Sequence, residues 1–221
     1  MMKTFAILPA YNEGKHVRKT ALDVVKQVDQ VIVVDDGSKD DTFEQAKKAK
    51  AIVLTHIVNM GKGVAMKTGI EYALQKGADT IVLIDSDGQH APSEIPRLIK
   101  LLQTKNVDMV IGTRQMPANT PEVFRLGNWG LNQIFRVFFG EKIDDTQNGF
   151  RVFKAKVYPK IRWKSHGYFV ETEMIINMLK NKVRHIETPV QTFYHDAHKG
   201  TTVLVGIGFF LKMLEVKIGW H

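Results

Sequence analysis

Two carboxylates one residue apart, Asp85 and Asp87, follow directly on the apolar run Ile81-Val82-Leu83-Ile84, and Gly88-Gln89-His90 comes next. Carboxylates held this close repel one another in a poorly hydrated cleft. A divalent cation between them relieves that repulsion, and an all-oxygen donor set suits Mg²⁺ or Mn²⁺. Mg²⁺ usually completes its coordination with substrate phosphates, so a metal-bound diphosphate is the natural guest. The plainer reading of the D-x-D is an acidic turn in which Ser86 or Asp87 caps the next helix.

Three other short stretches carry related chemistry. In Pro9-Ala10-Tyr11-Asn12-Glu13-Gly14, the Tyr11 ring can stack on a nucleobase and Glu13 can accept a hydrogen bond from it. The plain alternative there is a strand-to-helix turn capped by Asn12. The β-branched run at residues 30–34 ends in Asp35-Asp36-Gly37-Ser38, and a carboxylate at such a strand end can accept from ribose hydroxyls or base N–H groups. Asp40 or Asp41 serves as the following helix cap. Gly61-Lys62-Gly63 is a fragment of a phosphate loop. The full spacing and its Ser/Thr are missing, which excludes a P-loop ATPase. The glycines instead permit close helix–strand packing, with Lys62 still able to face a phosphate.

The elements that must position these groups alternate in type. Strands are expected at residues 4–8 (stopped by Pro9), 30–34, 51–55, 81–84 and 107–111, the last running into Gly112-Thr113-Arg114. Helices are expected at 15–27, from about 41 to 50, at 64–75 and from Pro92, seated in a first turn where its missing N–H costs little, to 104. Strand–helix alternation with buried parallel strands indicates a doubly wound α/β sheet, which binds ligands beyond the carboxyl ends of its strands. No G-x-G-x-x-G follows the first strand, which argues against a nicotinamide enzyme.

Beyond Arg114 the pattern changes. Residues 115–123 read as a loop. Residues 124–140 read as a helix whose Trp129, Ile134, Phe135, Phe138 and Phe139 form one apolar face, packed in the core or turned to a membrane. A polar loop at 144–151 leads to a short strand, followed by a helix at 169–179 and a strand at 184–188. Residues 194–202 are polar, and residues 203–218 are amphipathic and basic.

Composition narrows the classes. The 221 residues include no cysteine, which removes disulfides, thiolate nucleophiles and cysteine-ligated zinc. No secretory leader is expected, and no apolar run reaches the roughly 18 residues a spanning helix needs. The net charge of +8 suits polyanionic small molecules or anionic lipid. No zinc-finger or ribonucleoprotein signature accompanies it, so nucleic acid is not expected as a partner.

Taken in order, Pro9-Ala10-Tyr11-Asn12-Glu13, Val34-Asp35-Asp36-Gly37-Ser38, Asp85-Ser86-Asp87-Gly88-Gln89-His90, Gly112-Thr113-Arg114 and the later Gly149-Phe150-Arg151 resemble the inverting family 2 glycosyltransferases of the GT-A fold. The dolichyl-phosphate mannose synthases and related polyprenyl-phosphate glycosyltransferases are the subgroup most alike. The resemblance implies an α/β fold with one GT-A domain over residues 1–221, Rossmann-like with a mainly parallel sheet. Residues 1–114 would be its nucleotide-sugar half, 115–202 its acceptor half and 203–218 an amphipathic helix. Pro9, Tyr11, Glu13 and Asp36 would hold the nucleoside, with Lys62 near the phosphates. Asp85, Asp87 and Gln89 would hold Mg²⁺ or Mn²⁺ and the diphosphate, with Asp85 shared with the ribose. Asp87, Arg114 and Arg125 would serve catalysis, the arginines meeting the acceptor phosphate or the leaving diphosphate. Arg151, His195 and Lys199 would stand on the acceptor side. One departure is visible, since the R-x-R-G-x-S-K pattern of the mannose synthases is replaced here by His195-Asp196-Ala197-His198-Lys199-Gly200-Thr201-Thr202.

The activity so implied is metal-dependent inverting transfer of a hexose from a donor of the GDP-mannose or UDP-glucose type to a polyprenyl or dolichyl phosphate. It would take place at an anionic membrane surface, peripherally on the cytoplasmic inner face, with room for a separate membrane-protein partner. A lipid phosphate is already ionised and attacks without a base. A saccharide hydroxyl, the rival acceptor, would need one, for which Asp144 and Asp145 are the candidates. A sugar-phosphate nucleotidyltransferase and a nucleotide-sugar- or membrane-binding module without turnover are the readings from other classes.

Overall fold

The computed structural model describes residues 2–114, 122–193 and 203–219, with the side chains of residues 122–126, 128 and 203–207 outside that description. The apolar runs become the strands of one sheet: β1 (Thr4–Ala10), β2 (Gln30–Asp35), β3 (Ile52–Thr55), β4 (Thr80–Leu83), β5 (Met109–Arg114), β6 (Arg151–Lys154) and β7 (His185–Val190). Between and after them come α1 (Val17–Val25), α2 (Thr42–Lys47), α3 (Lys62–Gln75), α4 (Ile95–Thr104), α5 (Glu122–Phe139), α6 (Tyr158–Ile161), α7 (Val170–Lys180) and α8 (Val203–Ile218). The sheet order is β3-β2-β1-β4-β6-β5-β7.

Side chains that alternate along each strand are divided between two cores. Ile7, Ile32, Val34, Ile81, Leu83, Ile111 and Phe153 face one side, where α3, α5, α7 and α8 pack on them. Ala6, Leu8, Val31, Val33, Val82, Val110 and Val152 face the other, under α1, α2 and α4. Residues two apart share a face of a strand, so near-continuous apolar runs are what a sheet covered on both faces requires. The α4 stripe is Ile95, Leu98 and Leu102, all buried, at the i, i+3, i+7 spacing of a helix with one face inward. A 3₁₀ turn at Pro92–Glu94 precedes that helix.

Two sequence expectations are corrected. β1 does not stop at Pro9 but runs to Ala10, paired with β2 as far as Asp35. Pro9 is tolerated because its nitrogen faces the β4 side. The β4 ladder has already ended there at Ile7, and the Ser86 hydroxyl donates to the Pro9 carbonyl instead. A proline in a central strand is accommodated where no ladder donor is needed. Asn12 is not a cap of α1, because it adopts φ 54° and its Oδ1 accepts from the Lys39 amide. Beyond those expectations, the sheet does not place β5 beside β4. β6 inserts between them, antiparallel to both, after the chain has gone out along α5 and returned. Its register sets Arg151 opposite Leu83 and Ile111. The Gly149-Phe150-Arg151 segment is thereby delivered to the carboxyl end of β4, beside Asp85.

Candidate functional site

At the carboxyl ends of β1, β2 and β4 lies an open cavity of about 400 Å³. Pro9, Tyr11, Glu13, Asp36, Lys62, Asp85 and Asp87 all line it, joined by Gly167 and Tyr168. Seven residues singled out in four separate stretches thus converge on one cleft, where a parallel α/β sheet presents its strand ends.

Asp36 is only 2% exposed. Its Oδ1 is 2.7 Å from His56 Nδ1 and accepts from the Met60 amide, while its Oδ2 accepts from the Gly61 amide at 2.7 Å. The other nitrogen of His56 meets the Thr68 hydroxyl at 3.0 Å. Asp36 therefore ties the 56–61 loop to the end of β2. That loop crosses so close to Gly37, which has φ 69°, that a Cβ there would lie 2.5 Å from the Val58 backbone. His56 was not anticipated from sequence, since a lone histidine after a strand carries no motif.

The β4 end is built differently. Lys62 Nζ lies 2.6 Å from Asp85 Oδ1 and 2.6 Å from Glu171 Oε1. Burial disfavours the ammonium, but the two carboxylates outweigh it and hold the Lys62 pKa above its ordinary value. Burial likewise works against ionised Asp85, and Lys62 reverses this to hold its carboxyl well below the usual range. Glu171, 2% exposed, was not recognised as part of the site; acidic residues in the first turn of an apolar helix read as complements of its dipole. The glycines around Lys62 make room for a neighbouring segment rather than for a strand. The Gly63 amide donates to the His166 carbonyl at 2.5 Å, and a Cβ on Gly61 or Gly63 would run into the backbone of residues 165–166. Trp163 Nε1 donates to the Gly63 carbonyl, and Glu173 accepts from the amides of Lys164 and Ser165. This clasp carries Tyr168 to the cavity, its ring 5.9 Å from Lys62 Nζ. The close helix–sheet approach comes from Gly69, where a Cβ would meet Ile7 Cγ2 at 2.4 Å.

Gly149 backs directly onto Asp85, whose Oδ2 a Cβ would approach to 2.6 Å. Phe150 is fully buried and lies 5.4 Å from the His90 ring. Arg151 departs from the expectation: it is fully buried, donates to the carbonyls of Asn148, Glu171 and Thr146 and does not line the cavity. Burial lowers its pKa to about 10, opposed chiefly by Glu171 and Asp145, and it remains charged beneath the acidic site. Arg114 Nε and Nη2 donate to Asp145 at 2.7 and 2.9 Å. Burial opposes ionisation of Asp145, but the guanidinium prevails and lowers its pKa. Neither residue lines the cavity. Gln89 is placed beside it by its amide on Asp87 Oδ1 and its carbonyl on the Phe193 amide, though its side chain is not among the lining groups. The side chains of Arg125, His195 and Lys199 lie outside the described residues.

Among the described residues no three His, Asp or Glu side chains form a preformed metal cage. The donor set still fits Mg²⁺ or Mn²⁺, ions commonly held by one or two carboxylates plus substrate phosphates. Asp85 already accepts a cation, the Lys62 ammonium, and Asp87 shares the cavity wall.

A family model described as glycosyl transferase family 2 matches residues 5–162. The UDP-N-acetylglucosamine–dolichyl-phosphate N-acetylglucosaminyltransferase of Methanococcus voltae is 32% identical over 97% of this chain and 96% of its own. The undecaprenyl-phosphate mannosyltransferase of Micrococcus luteus is 30% identical over 86% and 83%. The crystal structure of glucosyl-3-phosphoglycerate synthase from Mycobacterium tuberculosis, in complex with Mn²⁺, UDP and its glucosylated product, superposes with a TM-score of 0.75. The alignment covers 99% of this chain and 80% of that one at 20% identity, a likeness of fold.

Proposed function

From the premise that this chain belongs to glycosyl transferase family 2, we propose that it transfers a hexose from a nucleoside-diphosphate sugar to a polyprenyl phosphate at a membrane surface. The observation that carries this is the convergence of Tyr11, Glu13 and Asp36 with Lys62, Asp85 and Asp87 on one cavity. The first group supplies a ring and hydrogen-bond acceptors for a nucleoside, the second a cation and carboxylates for a diphosphate. Relatives named for transfer to dolichyl and undecaprenyl phosphate support the acceptor class.

Sugar transfer builds positive charge at the anomeric carbon and negative charge on the departing diphosphate. Asp85 and Asp87 would hold a divalent ion, which stabilises that leaving charge. Lys62 stands where its ammonium adds to the same effect, and Tyr11 and the Asp36-braced loop orient the nucleoside. Among the described residues the cavity carboxylates are Glu13, Asp36, Asp85 and Asp87, all engaged with the donor in this reading. Asp145, weighed as a general base, is held by Arg114. An acceptor that arrives ionised needs no base, which favours a lipid phosphate over a saccharide hydroxyl. The test is incubation with radiolabelled UDP- and GDP-sugars, Mn²⁺ and a polyprenyl phosphate. Label should enter the organic phase with one donor, and its absence with every donor refutes the lipid acceptor.

A further inference from the structure

We infer that Lys62 is a resident counter-cation which occupies the charge position beside Asp85 and keeps a bare divalent ion out until a diphosphate draws the lysine away. This rests on the donor site described above. Its ammonium is 2.6 Å from each of Asp85 and Glu171, and its side chain is 16% exposed. An ion arriving at Asp85 meets a positive charge already on that carboxylate, in a setting where charges are weakly screened. The backbone cannot relieve this. Gly61 and Gly63 are pressed against residues 165–166, with no space for even a Cβ, and the Asp36 carboxylate holds the Gly61 amide. Only the side chain can move.

The surroundings give it somewhere to go. Glu171 remains as a partner when Asp85 is released, and the Tyr168 ring stands 5.9 Å from Nζ on the cavity side. A diphosphate entering the cavity offers the ammonium a new anionic partner and frees Asp85 for the ion. Ion and nucleotide then bind with positive coupling, which linkage makes reciprocal. Glu171 is the positioning residue of this device, since it holds the lysine without lining the cavity.

The experiment measures free Mn²⁺ by electron paramagnetic resonance, with and without UDP or GDP. Wild-type protein should bind Mn²⁺ at least about tenfold more tightly with one of the nucleotides than alone. Lys62→Met should bind Mn²⁺ alone at least about tenfold more tightly than wild type and lose most of the coupling. Because that change strands Glu171, the double variant Lys62→Met/Glu171→Gln is measured beside it and should behave alike. Lys67→Met, which removes the same charge from beside the Trp163 ring, should change nothing. Unchanged Mn²⁺ affinity in both Lys62 variants overturns the inference, as does an equal gain in Lys67→Met. If wild type binds no Mn²⁺ with either nucleotide, the donor site itself is misread, and the inference falls with it.

Discussion

The cavity half of the molecule and the α5–α8 pair meet solvent in opposite ways. At the cavity the charged groups Asp36, Lys62 and Asp85 are held by partners before any ligand arrives. Asp36 is held by two amides and a histidine, and Asp85 by a lysine. The α5–α8 pair buries one apolar face, including Phe135, Phe139, Phe209 and Met213. It turns a second face outward, with Trp129 60%, Val137 79%, Leu211 56% and Ile218 68% exposed. Preset polar groups favour one small ligand of matching charge and shape. An apolar face without fixed donors favours a large apolar phase and specifies little about it. Each half should therefore fail separately, and variants can test that separation.

The largest expected effect is at the β4 end. Asp87→Ala should lower transfer on the order of 10³-fold or more, because it removes a carboxylate that would hold the metal, while the thermal midpoint and vesicle binding stay unchanged. Near-normal turnover at saturating Mn²⁺ would reduce Asp87 to a turn residue holding the Gln89 amide. Next comes Asp36→Ala, which strands two amides and His56 in a buried setting. It should cost on the order of 2–4 kcal/mol of stability, read by chemical denaturation, and weaken nucleotide binding as the 56–61 loop loosens. Unaltered nucleotide affinity in a folded Asp36→Ala protein would show that the loop does not shape the site.

The cavity half was legible in the sequence because its information is local. Each strand end carries its own motif, and parallel topology brings the ends together whatever the loop details. Pro9, Tyr11, Glu13, Asp36, Lys62, Asp85 and Asp87 reach one cavity for that reason. The residues missed or misassigned depend on contacts made across the chain. Glu171 reaches Lys62 across 109 positions of sequence, and Trp163 reaches Gly63 across 100. Arg151 stood on the acceptor side only through the family resemblance. The antiparallel insertion of β6 instead carries it under the site, and no local pattern announces an insertion of that kind. Phe209 and Phe210 look equivalent in sequence, yet one is 7% exposed and the other 37%, a distinction that only the α5–α8 packing creates.

A smaller effect belongs to the seam between the halves. Asn132 of α5 donates to the Asp144 carbonyl and accepts from Thr146, while Asp145 between them holds Arg114 at the end of β5. Asp145 has a folded pKa below its ordinary value. Its stabilising effect is complete above the unfolded value, about 4, and is lost as pH falls through the folded value. Asp145→Asn should lower stability at neutral pH by about 1–2 kcal/mol, since Arg114 keeps some access to water. It should also flatten the acid limb of the stability curve. An acid limb identical in both proteins would show that the pair contributes nothing across the seam.

The smallest effect, and the sharpest test of separation, is on α8. Phe210, Leu211, Leu214 and Ile218 are all exposed, and their spacing of one, three and four residues makes a single stripe. Among the described residues no helix is long and apolar enough to cross a membrane, so contact with lipid would be made in the plane of the surface. The net charge of +8 adds attraction to anionic headgroups, about 1 kcal/mol for each well-placed cation. Wild-type protein should sediment with anionic vesicles and less so in high salt. Leu211→Ser/Leu214→Ser should weaken that binding about tenfold, a modest share of what full burial of two leucines provides, because an interfacial helix sinks only partway. Nucleotide affinity and thermal midpoint should not change. Phe209→Ser should behave otherwise, costing about 3–5 kcal/mol of stability by emptying a core position against Phe169. If the double leucine variant also loses nucleotide affinity, the two halves are coupled and the comparison fails. If wild type ignores anionic vesicles at low salt, the outward face serves another partner, and the saccharide-hydroxyl acceptor becomes the reading to test.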